Sequence, residues 1–195
     1  MKLSRGWMLA GIAIGLLVLI LSACGGGEAG SDAGAPPSGE AFDRAFIDAM
    51  VPHHHSAIEM ATAAKEAGLS QPDLVEVADD ILATQQLEIN QMKDWRGEWF
   101  GSRTIDPEGA AALGLDESQM GMQHDAEALM SSGDVDTDFA QMMVTHHQGA
   151  ITMAKLAAEN AEHDELKMLA EQIISAQERE IDVMSPHASG TMDHG

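Results

Sequence analysis

From Ala41 onward the chain places apolar residues at the spacing of an α-helix. At 100° per residue, Phe46, Met50, His53, His54, Ala57, Met60 and Ala61 fall within an arc of about 120°. Phe139, Met143, His146, His147, Ala150, Met153 and Ala154 share the same arc in a later stretch. Gln85, Glu88, Ile89 and Met92 occupy one helical face, and so do Gln177, Glu180, Ile181 and Met184. No run alternates apolar and polar residues long enough to make a strand. The breaks define the elements. Gly68 ends a helix expected over Ala41–Ala67, and Pro72 suits the first turn of the next, which runs to about Trp99. A loop carrying Gly101, Pro107, Gly109 and Gly114 follows, and then a shorter helix is expected over Glu117–Met130. Two more helices are expected, from near Asp136 to Asn160 and from His163 to Met184, with a disordered tail over 185–195.

The spacing is doubled. Asp43-x-x-Phe46-x-x-x-Met50-Val51-x-His53-His54-x-x-Ala57-Ile58-x-Met60-Ala61 matches Asp136-x-x-Phe139-x-x-x-Met143-Val144-x-His146-His147-x-x-Ala150-Ile151-x-Met153-Ala154. Gln85-x-x-Glu88-Ile89-x-x-Met92 likewise matches Gln177-x-x-Glu180-Ile181-x-x-Met184. Each half then reads as a helical hairpin that cannot bury its apolar stripe alone. Two hairpins packed together predict an all-α four-helix bundle over 41–184, built from repeats 41–100 and 134–184, with the extra short helix in the crossover.

Ahead of the bundle the pattern changes. Lys2 and Arg5 precede an uncharged, mostly apolar run over 6–23, and Leu21-Ser22-Ala23 leads into Cys24. This reads as a signal peptide over 1–23 with Cys24 as the lipidated first residue of a bacterial lipoprotein. An uncleaved signal anchor is the alternative, because about 18 residues can just span a bilayer. Either form holds the protein to the membrane on its extracytoplasmic side. Residues 24–40, rich in Gly, Ser and Pro, form a flexible linker. Cys24 is the sole cysteine, so no internal disulfide supports the fold.

Charge narrows the partners. Asp and Glu outnumber Lys and Arg by 32 to 10, a net charge of −22. Such a surface repels nucleic acid and attracts cations weakly. Methionine is abundant at 14 residues, while tyrosine is absent.

The candidate chemistry lies in the doubled arc. Methionine at helical spacing is ordinary core filler. Adjacent histidines on that face in both halves are harder to reconcile with packing, because burying imidazoles without partners costs desolvation energy. Cysteine-based zinc and iron–sulfur sites are excluded. The thioethers of Met50, Met60, Met92, Met143, Met153 and Met184 beside His53, His54, His146 and His147 suit Cu(I), and silver by the same softness. Glu88 and Glu180, with Gln85 and Gln177, stand where they could hydrogen-bond the outer nitrogens of ligating histidines. A di-iron carboxylate bundle needs Glu-x-x-His motifs that this chain lacks. His55 falls on the opposite face, and Gln148 takes its place in the second half. Pro52 predicts a kink or restart in the first helix.

These doubled blocks resemble the domain of unknown function 305 family, over about Ala41–Met184. The resemblance implies a ferritin-like four-helix bundle, often exported, with some members binding copper and linked to copper resistance. It lands on Met50, His53, His54, Met60 and Met92, then on Met143, His146, His147, Met153 and Met184. The first half departs from the family pattern at His55-Ser56, where Gln-Gly is usual and appears as Gln148-Gly149. The second half has Thr145 in place of the proline.

Three functions follow as expectations. The first is a lipid-anchored protein that binds soft metal ions without turnover, for copper sequestration or resistance, with His187, Met192 and His194 of the tail assisting loading. The second is a redox-active metal enzyme. The third is a structural or sensory lipoprotein with a buried His–Glu network that titrates near neutral pH. Ferritin-like hairpins also pair between chains, which allows a homodimer.

Overall fold

The computed structural model describes residues 37–189. The leader, Cys24, most of the linker, and Met192 and His194 of the tail lie outside the described residues. Four α-helices carry the fold: α1 (Glu40–Ala67), α2 (Pro72–Phe100), α3 (Val135–Asn160) and α4 (Asp164–Ala188). No strand occurs among the described residues. No helix among them is long and apolar enough to cross a membrane.

Local chemistry sets the helix ends. Glu40 and Asp43 put negative charge in the first turn of α1, where the helix dipole favours it. Gly68 takes a left-handed φ of 101° that a side chain would resist, and Leu69 N–H turns back to Ala64 C=O at 2.9 Å. Pro72 opens α2, and Asp134 caps α3 by accepting from Thr137 N–H at 3.2 Å. Pro52 lies inside α1, which continues through it with Pro52 on the exposed side, so the helix does not restart there. Pro52 has no N–H to give the Asp48 C=O, so one helical bond is lost there, and the flanking turns hold the helix.

Two expected features differ. The crossover helix over Glu117–Met130 is not formed as one element. Residues 117–121 turn tightly, and two 3₁₀ helices occupy Gly109–Leu113 and Ala126–Ser131. Gly121, at φ 68°, and the self-capping Asp125 interrupt any longer run. The tail is also more ordered than expected up to residue 189. Helix α4 runs past Met184 through Pro186 to Ala188 because His187 is buried and bonded to Asp73 at 2.8 Å. His187 is therefore a structural tie between α4 and the start of α2, and not a mobile loading ligand.

Helices α1 and α3 pack antiparallel, and their residues form two separate apolar cores. One joins Phe42–Val51 of α1 to Ala150, Met153, Ala154 and Ala157 of α3. The other joins Ala57–Ala64 of α1 to Phe139, Ala140 and Met143 of α3. The residues between these blocks on both helices are the histidine pairs.

The doubled aspartates lock the halves together. Asp43, at the start of α1, accepts from Glu162 N–H at 2.9 Å, from His163 N–H at 3.0 Å and from His163 Nδ1 at 2.6 Å. Asp136, at the start of α3, accepts from Ser70 N–H at 2.7 Å, Ser70 Oγ at 2.6 Å and Gln71 N–H at 3.1 Å. Each half thus caps the second helix of the other.

Candidate metal centre

The polar layer between the two apolar cores holds every nitrogen donor of the doubled motif. His53 and His146 are matching residues of the two halves, and their rings meet with centroids 3.7 Å apart and planes tilted by 35°. They meet where α1 crosses α3, on the pseudo-twofold axis of the bundle. His54 and His147 flank them and turn the other way, toward α2 and α4. His54 Nε2 bonds Glu88 Oε2 at 2.8 Å, and His147 Nε2 bonds Glu180 Oε2 at 2.5 Å. All four imidazoles are buried. His55 is exposed, as its place on the helix requires.

The methionines sort by the same symmetry. Met50 and Met92 of the first half share a core with Met153 of the second. Met143 and Met184 of the second half share the other core with Met60 of the first. All six are at most 1% exposed. Each of the two apolar cores thus holds three of these six buried thioethers. Gln85 and Gln177 are buried as well, but no hydrogen bond joins either to a histidine, and the side-chain oxygen of each has no protein partner.

Several buried nitrogens are unpartnered. His54 and His147 each lack a protein partner at Nδ1, and His53 lacks one there too. His53 Nε2 reaches the backbone C=O of Met120 at 2.8 Å. His146 has no protein partner at either nitrogen. A buried polar atom left unsatisfied costs about 1–3 kcal/mol, so five such atoms in one layer call for an explanation. Burial pushes the His53 pKa down to about 3, with the charge of His54 adding to the effect. Burial likewise holds His146 well below the usual histidine range, with His53 the next cause. Both imidazoles are neutral at pH 7, the form that binds metal.

The donor set fits a soft ion. Among the described residues no three His, Cys, Asp or Glu side chains converge to cage an ion by themselves. Imidazole and thioether are the donor types in and beside this layer, and both are donors that copper accepts.

The crossover closes this layer from outside, which sequence periodicity could not foresee. Gly149 has no Cβ because one would stand 1.9 Å from the Met120 carbonyl oxygen. A Cβ on Gly121 would meet the Thr145 carbonyl oxygen at 2.5 Å and His146 Cα at 2.9 Å. Gly149, noted only as part of the second half's Gln-Gly, is the seat for the crossover backbone. Between the first half of α2 and the second half of α4 lies a pocket of about 270 Å³, lined by Asp73, Glu76, Asp80, Glu180 and Arg179 among others.

The family model for DUF305, domain of unknown function, matches residues 43–187. The chain belongs to the DUF305 family. Solved relatives share the fold and most of the length. CopM in its Cu(I)-bound form is 32% identical, with a TM-score of 0.64, covering 77% of this chain and 98% of its own. CopM in an Ag-bound form, obtained by soaking, is 31% identical at a TM-score of 0.64, with 77% and 97% covered. A DUF305 protein from Streptomyces coelicolor, designated a candidate secreted protein, is 25% identical at a TM-score of 0.67, with 79% and 96% covered. No curated protein matches the chain.

Proposed function

We propose that this DUF305 protein binds copper, taken up as Cu(I), through its buried histidine layer and the flanking methionines, and sequesters it at the cell envelope without turnover. The observation that carries the reading is His146. It is fully buried, packed against His53, and has two nitrogens that no protein atom satisfies. Six buried thioethers, three in each apolar core, supply the softness that favours Cu(I) over harder ions. CopM, solved with Cu(I) and with silver, supports the same class of cargo. Glu88 and Glu180 hold the outer nitrogens of His54 and His147, which fixes those rings with Nδ1 turned inward. The leader pattern ending at Cys24 supports a lipid-anchored, extracytoplasmic location, as does the Streptomyces relative's designation.

A hydrogen-bonded His–Glu network is the second reading, favoured by the His54–Glu88 and His147–Glu180 pairs. It accounts for the outer histidines and leaves His146 without a partner. Anaerobic competition titration of the chain with a chromophoric Cu(I) chelator separates the two. His53→Ala combined with His146→Ala is expected to abolish most Cu(I) uptake. Unchanged stoichiometry in that double variant would return the histidines to a structural role.

A further inference from the structure

We infer that the pocket between the second half of α2 and the first half of α4 is a separate surface site for a soft monovalent cation, Cu(I) or Ag(I), with the Met168 thioether and the Trp95 indole as its donors. The inference goes beyond the buried-layer reading and shares no residue with it. The pocket holds about 140 Å³ and is lined by Gln91 and Trp95 of α2 and by Glu165, Met168, Leu169 and Gln172 of α4. Met168 is 54% exposed, whereas the six methionines of the doubled motif are at most 1% exposed. Its thioether is within reach of an ion in solution.

The repeat supplies the comparison. In the register that matches Gln85 with Gln177, the α4 residues of this pocket correspond to Asp73, Glu76, Val77 and Asp80, which line the other α2/α4 pocket. Glu165 keeps the acid of Asp73, but a thioether stands for the Glu76 carboxylate and an amide for that of Asp80. A carboxylate-rich wall suits hard cations, whereas a thioether is a poor ligand for them and a good one for Cu(I) and Ag(I). Trp95 corresponds to His187, so an indole replaces a hydrogen-bonded imidazole. The face of tryptophan attracts cations more strongly than that of any other side chain.

The indole is held in place. Trp95 stacks on Trp99 with centroids 5.3 Å apart and planes 10° apart, and Trp99 stacks on His163 at 3.7 Å and 5°. Asp43 anchors that imidazole through Nδ1 at 2.6 Å. The ladder fixes the ring at the pocket, while the flexible stem of Met168 lets its sulfur adjust to an ion. Glu165 adds one carboxylate, which offsets the single charge of the cation. Leu169 belongs to the apolar core that contains Met50, Met92 and Met153, and Trp95 packs against it. The pocket thus abuts one of the two methionine cores.

The test uses the full chain in detergent, labelled with ¹⁵N and with ¹³C at the methionine methyls, and titrated with Ag(I) as a diamagnetic probe. The Met168 methyl signal, assigned by its loss in Met168→Leu, and the Trp95 indole N–H signal, assigned by Trp95→Phe, are expected to shift and saturate together. Met168→Leu keeps the size of an exposed side chain and removes the sulfur. It is expected to abolish the Trp95 shift while the His53 and His146 ring signals move as in the parent chain. Zn(II) at the same concentration is expected to leave Met168 and Trp95 in place. If the buried histidine signals move and Met168 stays, the inference fails and the copper reading stands. A Trp95 shift that survives Met168→Leu, or an equal response to Zn(II), also overturns it. If Met168 and Trp95 move while the buried histidines stay, the inference holds and the copper reading fails. If no signal moves, both fail.

Discussion

The two halves of the bundle agree at the centre and diverge outside it. At the centre, histidine packs against histidine, each outer histidine meets a glutamate, and each apolar core takes methionines from both halves. Outside, matching positions do different work. Asp48 of the first half forms a buried ion pair with Arg96, accepting from Nε at 2.6 Å, and also takes Asp106 N–H at 3.0 Å. Its counterpart, Gln141, makes a surface bond to the Ala188 carbonyl at 2.9 Å. The pockets between α2 and α4 differ too. One carries Asp73, Glu76, Asp80 and Glu180, and its match carries Gln91, Trp95, Glu165, Met168 and Gln172. Packing alone does not demand identical residues in both halves, as these outer sites demonstrate. The identity of the inner layer therefore reflects a constraint shared by both halves, and a site straddling the axis supplies one.

The outer pair should break the comparison most sharply. Asp48→Ala strands a buried guanidinium and is expected to cost about 3–5 kcal/mol, whereas Gln141→Ala should stay within about 1 kcal/mol. Urea unfolding of the two variants measures the difference, and equal losses would show that Arg96 does not depend on its partner.

The crossover gives the next contrast. Gly149→Ala drives a Cβ into the Met120 carbonyl and is expected to cost about 1–3 kcal/mol by displacing the loop. The matching change, Ser56→Ala, trims one half-buried hydroxyl and should be close to neutral. Thermal melts rank the pair, and a neutral Gly149→Ala would mean the loop gives way freely.

The reciprocal caps should behave alike. Asp43→Ala and Asp136→Ala are each expected to lose about 1–3 kcal/mol, because several donors lose their acceptor. Burial alone would raise the Asp136 pKa, but the Ser70 hydroxyl and the amides of Ser70 and Gln71 outweigh it, so the net shift is downward from 3.8. A carboxylate with a lowered folded pKa stabilises fully above its unfolded value and loses that contribution as pH falls. Acid titration of stability should therefore decline below about pH 4 and flatten in Asp136→Asn.

The smallest effect on stability is expected from the methionines. Replacing Met50, Met92 and Met153 by leucine, or Met60, Met143 and Met184, should cost less than about 1.5 kcal/mol per site. Cu(I) affinity should fall in both sets, and a fall in only one would reveal that the two cores do not contribute equally.

Much of the architecture was legible in the residues. Periodicity located the four long helices, since each buries a stripe against its neighbours, and the repeat paired them into hairpins. The same periodicity divided His53 and His54 from His55, because a helix fixes the angle between successive side chains. The crossover was read less well. A helix was expected over 117–130, but Gly121 and Gly149 exist to bring backbone against backbone, a contact between segments far apart in sequence. The end of α4 was read as a tail for a similar reason. Its order depends on Asp73 of another helix, and helix-breaking Pro186 concealed it.

The sequence by itself determined the secondary structure, the doubling and the chemical character of the inner layer, because spacing and residue type are local properties. Only the tertiary structure decided which histidines face each other, which turn to glutamates and which stay unpartnered. It also exchanged Asp43 and Asp136 between halves. These depend on how two antiparallel helices cross and on where a single crossover lies, and neither is encoded in the period of one helix.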